Sequence, residues 1–359
     1  MLAQSETGTF STILYFFDIC LKRLSRSYCQ VWVFNSIKEV PVKDEQSLPD
    51  EQEEKTGVSR RSFLKVFTGT AAGIGISQVF NPALVRALTK ALEKHPVLWI
   101  QGQGCTGCSV SILNSVEPSI ADVILKVINL EFLPTVMTSE GQTAMENLYR
   151  VADAYNGKFS LIVEGAIPTA ADGKYCVVGE YHEKEITMVD LVKDLGSKAG
   201  SVIAVGSCAS YGGIPAAKGN VTGATGVMEF FKQYAIKTPV VNIPGCPPHP
   251  DWMVGSLVYL LEKGIPELDS DGRPILFFGE NIHEHCPRLE QYDNNNLSEK
   301  MSDAQGCRME LGCKGPNTYA DCYKRKWNNG MNWCVDNALC IGCVEPGFPD
   351  SFSPFYEPA

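Results

Sequence analysis

Val97-Leu-Trp-Ile100 runs into Gln101-Gly-Gln-Gly-Cys105, and the same order of residues recurs twice downstream. Ser201–Val205 leads into Gly206-Ser-Cys208, and Pro239–Ile243 leads into Pro244-Gly-Cys246. A fourth run, Phe159–Val163, ends in Glu164-Gly165 without a cysteine. Each is short, apolar and closed by glycine, as in strands buried on both faces of a parallel sheet. A further strand is predicted over Lys126–Phe132, and helices over Gln142–Tyr155, Met188–Leu195 and Asp251–Lys263. This spacing suits crossover connections and predicts a flavodoxin-like, doubly wound α/β domain.

In open parallel sheets ligands sit beyond the carboxyl ends of the strands. Cys105 and Cys108, then Cys208, then Cys246 follow such ends, so four thiols are expected to converge there. Glycines at these turns permit positive φ and let backbone N–H groups approach sulfur. Four thiolates suit either zinc or a 4Fe-4S cluster.

The chain has 359 residues, enough for two domains, and carries fourteen cysteines. Seven of these lie between Cys286 and Cys343, in a region rich in Gly, Pro and Asn and without strand rhythm. Such a segment needs staples, either disulfides or metal. His283 stands beside this set, with His285 as its competitor. Setting aside Cys20, Cys29 and Cys176 leaves eleven cysteines; His283 makes twelve ligands, or three sets of four, whereas disulfide pairing leaves an odd thiol. A formal charge of -10 argues against a nucleic-acid partner.

Near the start, Ser59-Arg-Arg-Ser-Phe-Leu-Lys65 precedes an apolar run from Val66 to Phe80, shorter than the ~20 residues of a membrane span. The string resembles a twin-arginine export signal, which moves proteins already folded and loaded with metal. Residues 1–57 do not fit it, and Val58 is the expected true start of translation. The expected organisation is a non-native extension (1–57), a signal peptide (58–91), the flavodoxin-like domain (92–268), and an irregular, mostly loop and helix, cluster-binding domain (269–359).

Several long motifs resemble the small subunit of nickel–iron hydrogenases. They are Trp99 to Ser109, Val163-Glu-Gly-Ala-Ile-Pro168, Gly206 to Pro215, Asn242 to Pro250, Gly312-Cys-Lys-Gly-Pro316 and Cys340-Ile-Gly-Cys343. The resemblance runs from about residue 59 to the end. It implies an electron-transfer subunit that relays electrons between a hydrogen-activating site in a large subunit and an external partner. By the same resemblance Cys105, Cys108, Cys208 and Cys246 would hold a proximal 4Fe-4S cluster. His283, Cys286, Cys307 and Cys313 would hold a distal 4Fe-4S cluster, and Cys322, Cys340 and Cys343 a medial one.

Many family members hold a 3Fe-4S medial cluster, with proline in the loop that here reads Trp327-Asn-Asn-Gly-Met-Asn-Trp-Cys334. A fourth thiolate from Cys334 would complete a 4Fe-4S cluster, as in the nickel–iron–selenium branch; the other reading of Cys334 is a free thiol. Gly107 and Gly213 align with the extra cysteines of oxygen-tolerant relatives, which implies a proximal cluster of ordinary type. Glu164 is either a proton-path or outer-sphere group near that cluster or a helix cap. Cys176 reads as a packed thiol.

No ligands for the nickel–iron site are expected in this chain. The twin-arginine string implies export through the twin-arginine translocon to the periplasm or the outer face of the cytoplasmic membrane, and with no long apolar run after Cys343 no C-terminal membrane helix is expected, unlike membrane-anchored relatives. The resemblance implies a heterodimer with a multihaem cytochrome c as redox partner. Two rivals are the homologous subunit of quinone-reducing complexes and a zinc- or disulfide-stapled exported binding protein without a redox role.

Overall fold

The computed structural model describes residues 95–116, 119–120, 128–327 and 330–355. The extension at 1–57, the signal peptide at 58–91, the Val58 start and the first residues of the strand predicted at Lys126–Phe132 lie outside these.

Five strands form the main sheet: β1 (Pro96–Gln101), β2 (Asn129–Phe132), β3 (Ser160–Glu164), β4 (Ser201–Val205) and β5 (Val240–Ile243). All neighbours are parallel and the spatial order is β2-β1-β3-β4-β5. That is the flavodoxin-like order. β3, β4 and β5 are buried along their whole length, which is why they read as unbroken apolar runs.

The pleat sorts these residues to two faces. Leu98, Ile100, Leu161, Val163, Val202 and Ala204 join a core with helices α2 (Gly141–Ala154), α3 (Met188–Lys198) and α5 (Val227–Gln233). Val97, Trp99, Ile162, Ile203, Val205 and Ile243 face the other way, against α6 (Pro250–Lys263). Phe277, Phe278, Ala320, Trp333, Val335 and Val344 complete that second core. The cysteine-rich segment is therefore built onto one face of the sheet. It consists of one-turn helices, among them Cys322–Arg325 and Cys334–Asn337, and 3-10 turns such as His283–His285.

Two short helices, α1 (Gly107–Ile112) and α4 (Gly206–Tyr211), begin at the cysteine-bearing turns. Neither was expected, nor was the antiparallel hairpin Val177–Tyr181 with Lys184–Thr187. Cys176 opens that hairpin and packs against the first core. Among the described residues no helix is long and apolar enough to cross a membrane.

Candidate functional site

Registration across the sheet aligns Gln101 with Glu164, Glu164 with Val205, and Val205 with Ile243. The strands therefore end in one row, and the turns that follow bring their cysteines together. Cys105, Cys108, Cys208 and Cys246 line one cavity of about 110 Å³ with Gly104, Gly165, Gly206 and Gly245. Gly206 has φ +87°, and a Cβ there would run into Cys108 Sγ, so the turn tolerates only glycine. At Gly213, φ +50°, a Cβ would lie 2.8 Å from Cys208 N, so a side chain there would press on a ligand-bearing backbone.

Glu164, only 2% exposed, closes the floor of this group. Its Oε1 accepts from Cys108 N at 2.9 Å and Ser109 N at 3.1 Å, and its Oε2 from Trp99 Nε1 and Gln101 Nε2, both at 3.0 Å. Thr106, the residue before α1, makes no side-chain cap. The carboxylate thus caps α1 from a neighbouring strand, satisfying N–H groups that the first turn leaves open. These bonds are those of a cap, and the same carboxylate also lines the thiol cavity, as an outer-sphere group would.

Burial, with Glu164 and the neighbouring thiols, raises the pKa of Cys108 far above the usual thiol range. Burial, then the Cys246 charge, lifts Cys208 to about 11, while the Ile214 N–H on its sulfur opposes the rise. Burial followed by Cys105 raises Cys246. Thiols gathered this way resist ionisation, and a cationic iron–sulfur core, when bound, would reverse that balance by pairing the thiolates.

A second cavity of about 450 Å³ is lined by Cys322, Cys334, Cys340 and Cys343, with Trp327, Trp333 and Cys246. Cys334 begins the helix Cys334–Asn337, where Trp333 N donates to Asp336 Oδ2 at 2.9 Å. Burial dominates the raised pKa of each thiol: Cys322 feels Cys343, Cys340 and Cys334 in addition, and Cys343 stands at about 12 with Cys334 close by. Cys334, the candidate marked by one departure in sequence, opens onto this cavity.

The third group is formed by His283, Cys286, Cys307 and Cys313. Cys286 is raised by burial and then by Cys313 and Cys307, and it accepts from Arg288 N at 3.5 Å. Gly315 sits between Cys313 and His283: a Cβ there would be 3.5 Å from Cys313 Sγ and 3.9 Å from His283 Cβ. His285 turns elsewhere, stacking on Tyr323 at 4.6 Å and pairing with Glu280 at 3.7 Å. Of the two histidines, His283 is the one that lies beside the thiols.

The three groups adjoin one another in order. Cys246 N–H donates to Cys343 Sγ, and the Ser207 hydroxyl donates to Cys343 O while accepting from Gly245 N at 3.0 Å. At the other end Lys314 N donates to Cys340 O at 2.8 Å, and the Cys313 charge reaches Cys340. Sequence reasoning missed the residues that brace this line. Asp321 binds Arg325 Nε and Trp252 Nε1, both at 2.7 Å, and Arg273 joins Asp269 at 2.7 Å to Glu345 at 3.0 Å. Arg308 also escaped notice, although its place directly after Cys307 was a signal available in the sequence.

A parallel sheet with thiols at its carboxyl edge, continued by two further sulfur-rich groups in line, defines an electron-transfer protein with donors suited to iron–sulfur clusters. Residues 278–356 match the family model for the C-terminal part of the NiFe/NiFeSe hydrogenase small subunit, and residues 105–260 match that for the 20 Kd subunit of NADH ubiquinone oxidoreductase. The chain is 57% identical to the periplasmic [NiFeSe] hydrogenase small subunit of Desulfomicrobium baculatum, over 83% of this chain and 98% of that one. Against the periplasmic [NiFe] hydrogenase small subunit 1 of Nitratidesulfovibrio vulgaris it is 40% identical, over 86% and 96%. A solved structure of recombinant [NiFeSe] hydrogenase from Desulfovibrio vulgaris Hildenborough superposes with a TM-score of 0.72 at 60% identity, covering 74% of this chain and 98% of that chain. The chain belongs to the nickel–iron hydrogenase small-subunit family, the electron-transfer subunits of these oxidoreductases. A stapled binding protein without a redox role finds no support.

Proposed function

We propose that this chain carries electrons through three iron–sulfur clusters between the nickel–iron site of a large subunit, where H2 is interconverted with two protons and two electrons, and a partner at its surface. When bound, each cluster takes up or releases one electron. Cys105, Cys108, Cys208 and Cys246 would hold the proximal 4Fe-4S; Cys322, Cys334, Cys340 and Cys343 the medial 4Fe-4S; His283, Cys286, Cys307 and Cys313 the distal 4Fe-4S. One observation carries this reading: the three donor groups lie in sequence, joined by the Cys246–Cys343 and Lys314–Cys340 hydrogen bonds.

The protein's own work is placement. Glu164 fixes α1 and so the Cys105/Cys108 turn, and Ser207 ties the Cys246 loop to Cys343. The Ile214 and Arg288 N–H groups tune thiolate sulfur. A neutral His283 in place of a thiolate leaves the distal cluster less negative, which eases exchange with an outside partner. Iron and sulfide analysis of the anaerobic heterodimer tests the assignment: about twelve irons per chain are expected, and a metal-free yet folded, paired protein overturns it.

The division 92–268 and 269–359 marks the proximal-site part and the medial and distal part, which share one core. The relatives named above are periplasmic by name, and export here would use the twin-arginine signal at Arg60-Arg61. Replacing both arginines by lysine should leave the loaded protein in the cytoplasm. A multihaem cytochrome c is the proposed electron partner, tested by its reduction under H2 with the purified heterodimer.

A further inference from the structure

Arg308 is 5% exposed, follows Cys307 directly, and takes part in none of the ion pairs among the described residues. Its Nη1 donates to Val335 O at 3.3 Å and to Ala338 O, the closing carbonyls of the helix that begins with Cys334. Nη2 donates to Met301 O at 3.3 Å, and Cys313 N donates back to the Arg308 carbonyl at 3.2 Å. The remaining donor, Nε–H, is buried without a hydrogen-bond partner. The charges of Cys286 and Cys313 reach the guanidinium, as do those of Arg288 and Asp303.

A buried cation that meets only carbonyls is costly unless an anion stands near. The anions this site would hold are a thiolate-ligated cluster on one side and the Cys334 thiolate beyond the clamped helix.

We propose that Arg308 is the positioning residue for Cys334: its guanidinium clamps the helix Cys334–Asn337 so that the thiol faces the medial site, while its charge acts on the distal donor set. One residue thus couples the fourth medial ligand to the distal loop. The proposal rests on the cluster assignment above and concerns what makes that fourth ligand effective. Arginine suits the task because its planar fork reaches three carbonyls and still keeps a donor in hand; lysine offers the charge without the fork.

The test uses the anaerobically purified heterodimer carrying Arg308→Met, Arg308→Lys or Cys334→Ala. Each is oxidised with ferricyanide and followed by electron paramagnetic resonance, with iron counted before and after. A 4Fe-4S cluster lacking its fourth ligand gives one electron to ferricyanide and releases one ferrous ion, leaving a 3Fe-4S cluster. Wild type should keep about twelve irons and show no 3Fe-4S signal; Cys334→Ala should show that signal in full. Arg308→Met should show it too and fall towards about eleven irons, with a lowered distal midpoint potential because a cation has gone. Arg308→Lys should show the 3Fe-4S signal while keeping the distal midpoint near that of wild type, so it decides the question even where Arg308→Met fails to assemble. An Arg308→Lys heterodimer that matches wild type, while Cys334→Ala gives the signal, overturns the proposal. A silent Cys334→Ala overturns instead the medial assignment on which it rests.

Discussion

Replacing Glu164 by glutamine removes one charge and keeps the shape. The carboxylate accepts four hydrogen bonds, from Cys108 N, Ser109 N, Trp99 Nε1 and Gln101 Nε2. A carboxamide has one acceptor oxygen; with that oxygen on the α1 backbone, its NH2 meets the Trp99 and Gln101 donors head on. Gln101 escapes only by giving up its bonds to Ser109 and Thr135. Hydrogen bonds to charged groups contribute ~1.5–3 kcal/mol each, so losing two costs ~3–6 kcal/mol. At roughly 2–4 °C per kcal/mol for a domain of this size, Tm should fall by at least ~6 °C. Calorimetry of the anaerobic heterodimer measures this, and redox titration of the same samples reads the proximal midpoint. That midpoint should rise, because a nearby negative charge that opposed reduction is gone. A Tm within ~2 °C of wild type, or a lowered midpoint, refutes the cap reading of Glu164.

Gly206→Ala should cost the proximal cluster, because the new methyl occupies the place of Cys108 Sγ; iron analysis should find about four fewer per heterodimer. His283→Cys should lower the distal midpoint by on the order of 100 mV, since a thiolate replaces a neutral ring, while His285→Ala should leave it in place. His249 is held neutral by burial: its Nδ1 accepts from Asp251 N at 3.1 Å and its Nε2 meets Lys326 O at 2.5 Å, and its pKa lies below the ordinary value. The unfolded chain takes up the proton first as pH falls, so the contribution is whole above about pH 6.5 and is lost as pH drops through the lowered folded value. Thermal melts between pH 7.5 and 5 should decline less steeply in His249→Asn, and an unchanged slope counts against this role.

β3, β4 and β5 were legible because both their faces are buried, which writes them as plain apolar runs; only edges moved, as when Pro239 proved to lie just outside β5. The hairpin at Val177–Tyr181 and Lys184–Thr187 was not. Its turn places His182 and Glu183 at φ +51° and +62°, a bend usually announced by Asn-Gly or Asp-Gly. Helices α1, α4 and α5 span two turns or fewer, too short for a helical period to emerge. Cysteine spacing pointed to the groups that the fold gathers, because ligands of one centre must recur in number. The braces Ser207, Arg308, Asp321 and Arg325 are ordinary residues in sequence, and only long-range contacts give them work.

Trp333, Val335, Val344 and the thiols Cys322 and Cys340 are buried among the same side chains as Trp252 and the sheet residues Val205 and Ile243. Redox wiring and hydrophobic interior are therefore one object. A polypeptide ended after residue 268 would leave Trp252 and its neighbours wet, so the segment bearing the medial donors is no detachable accessory.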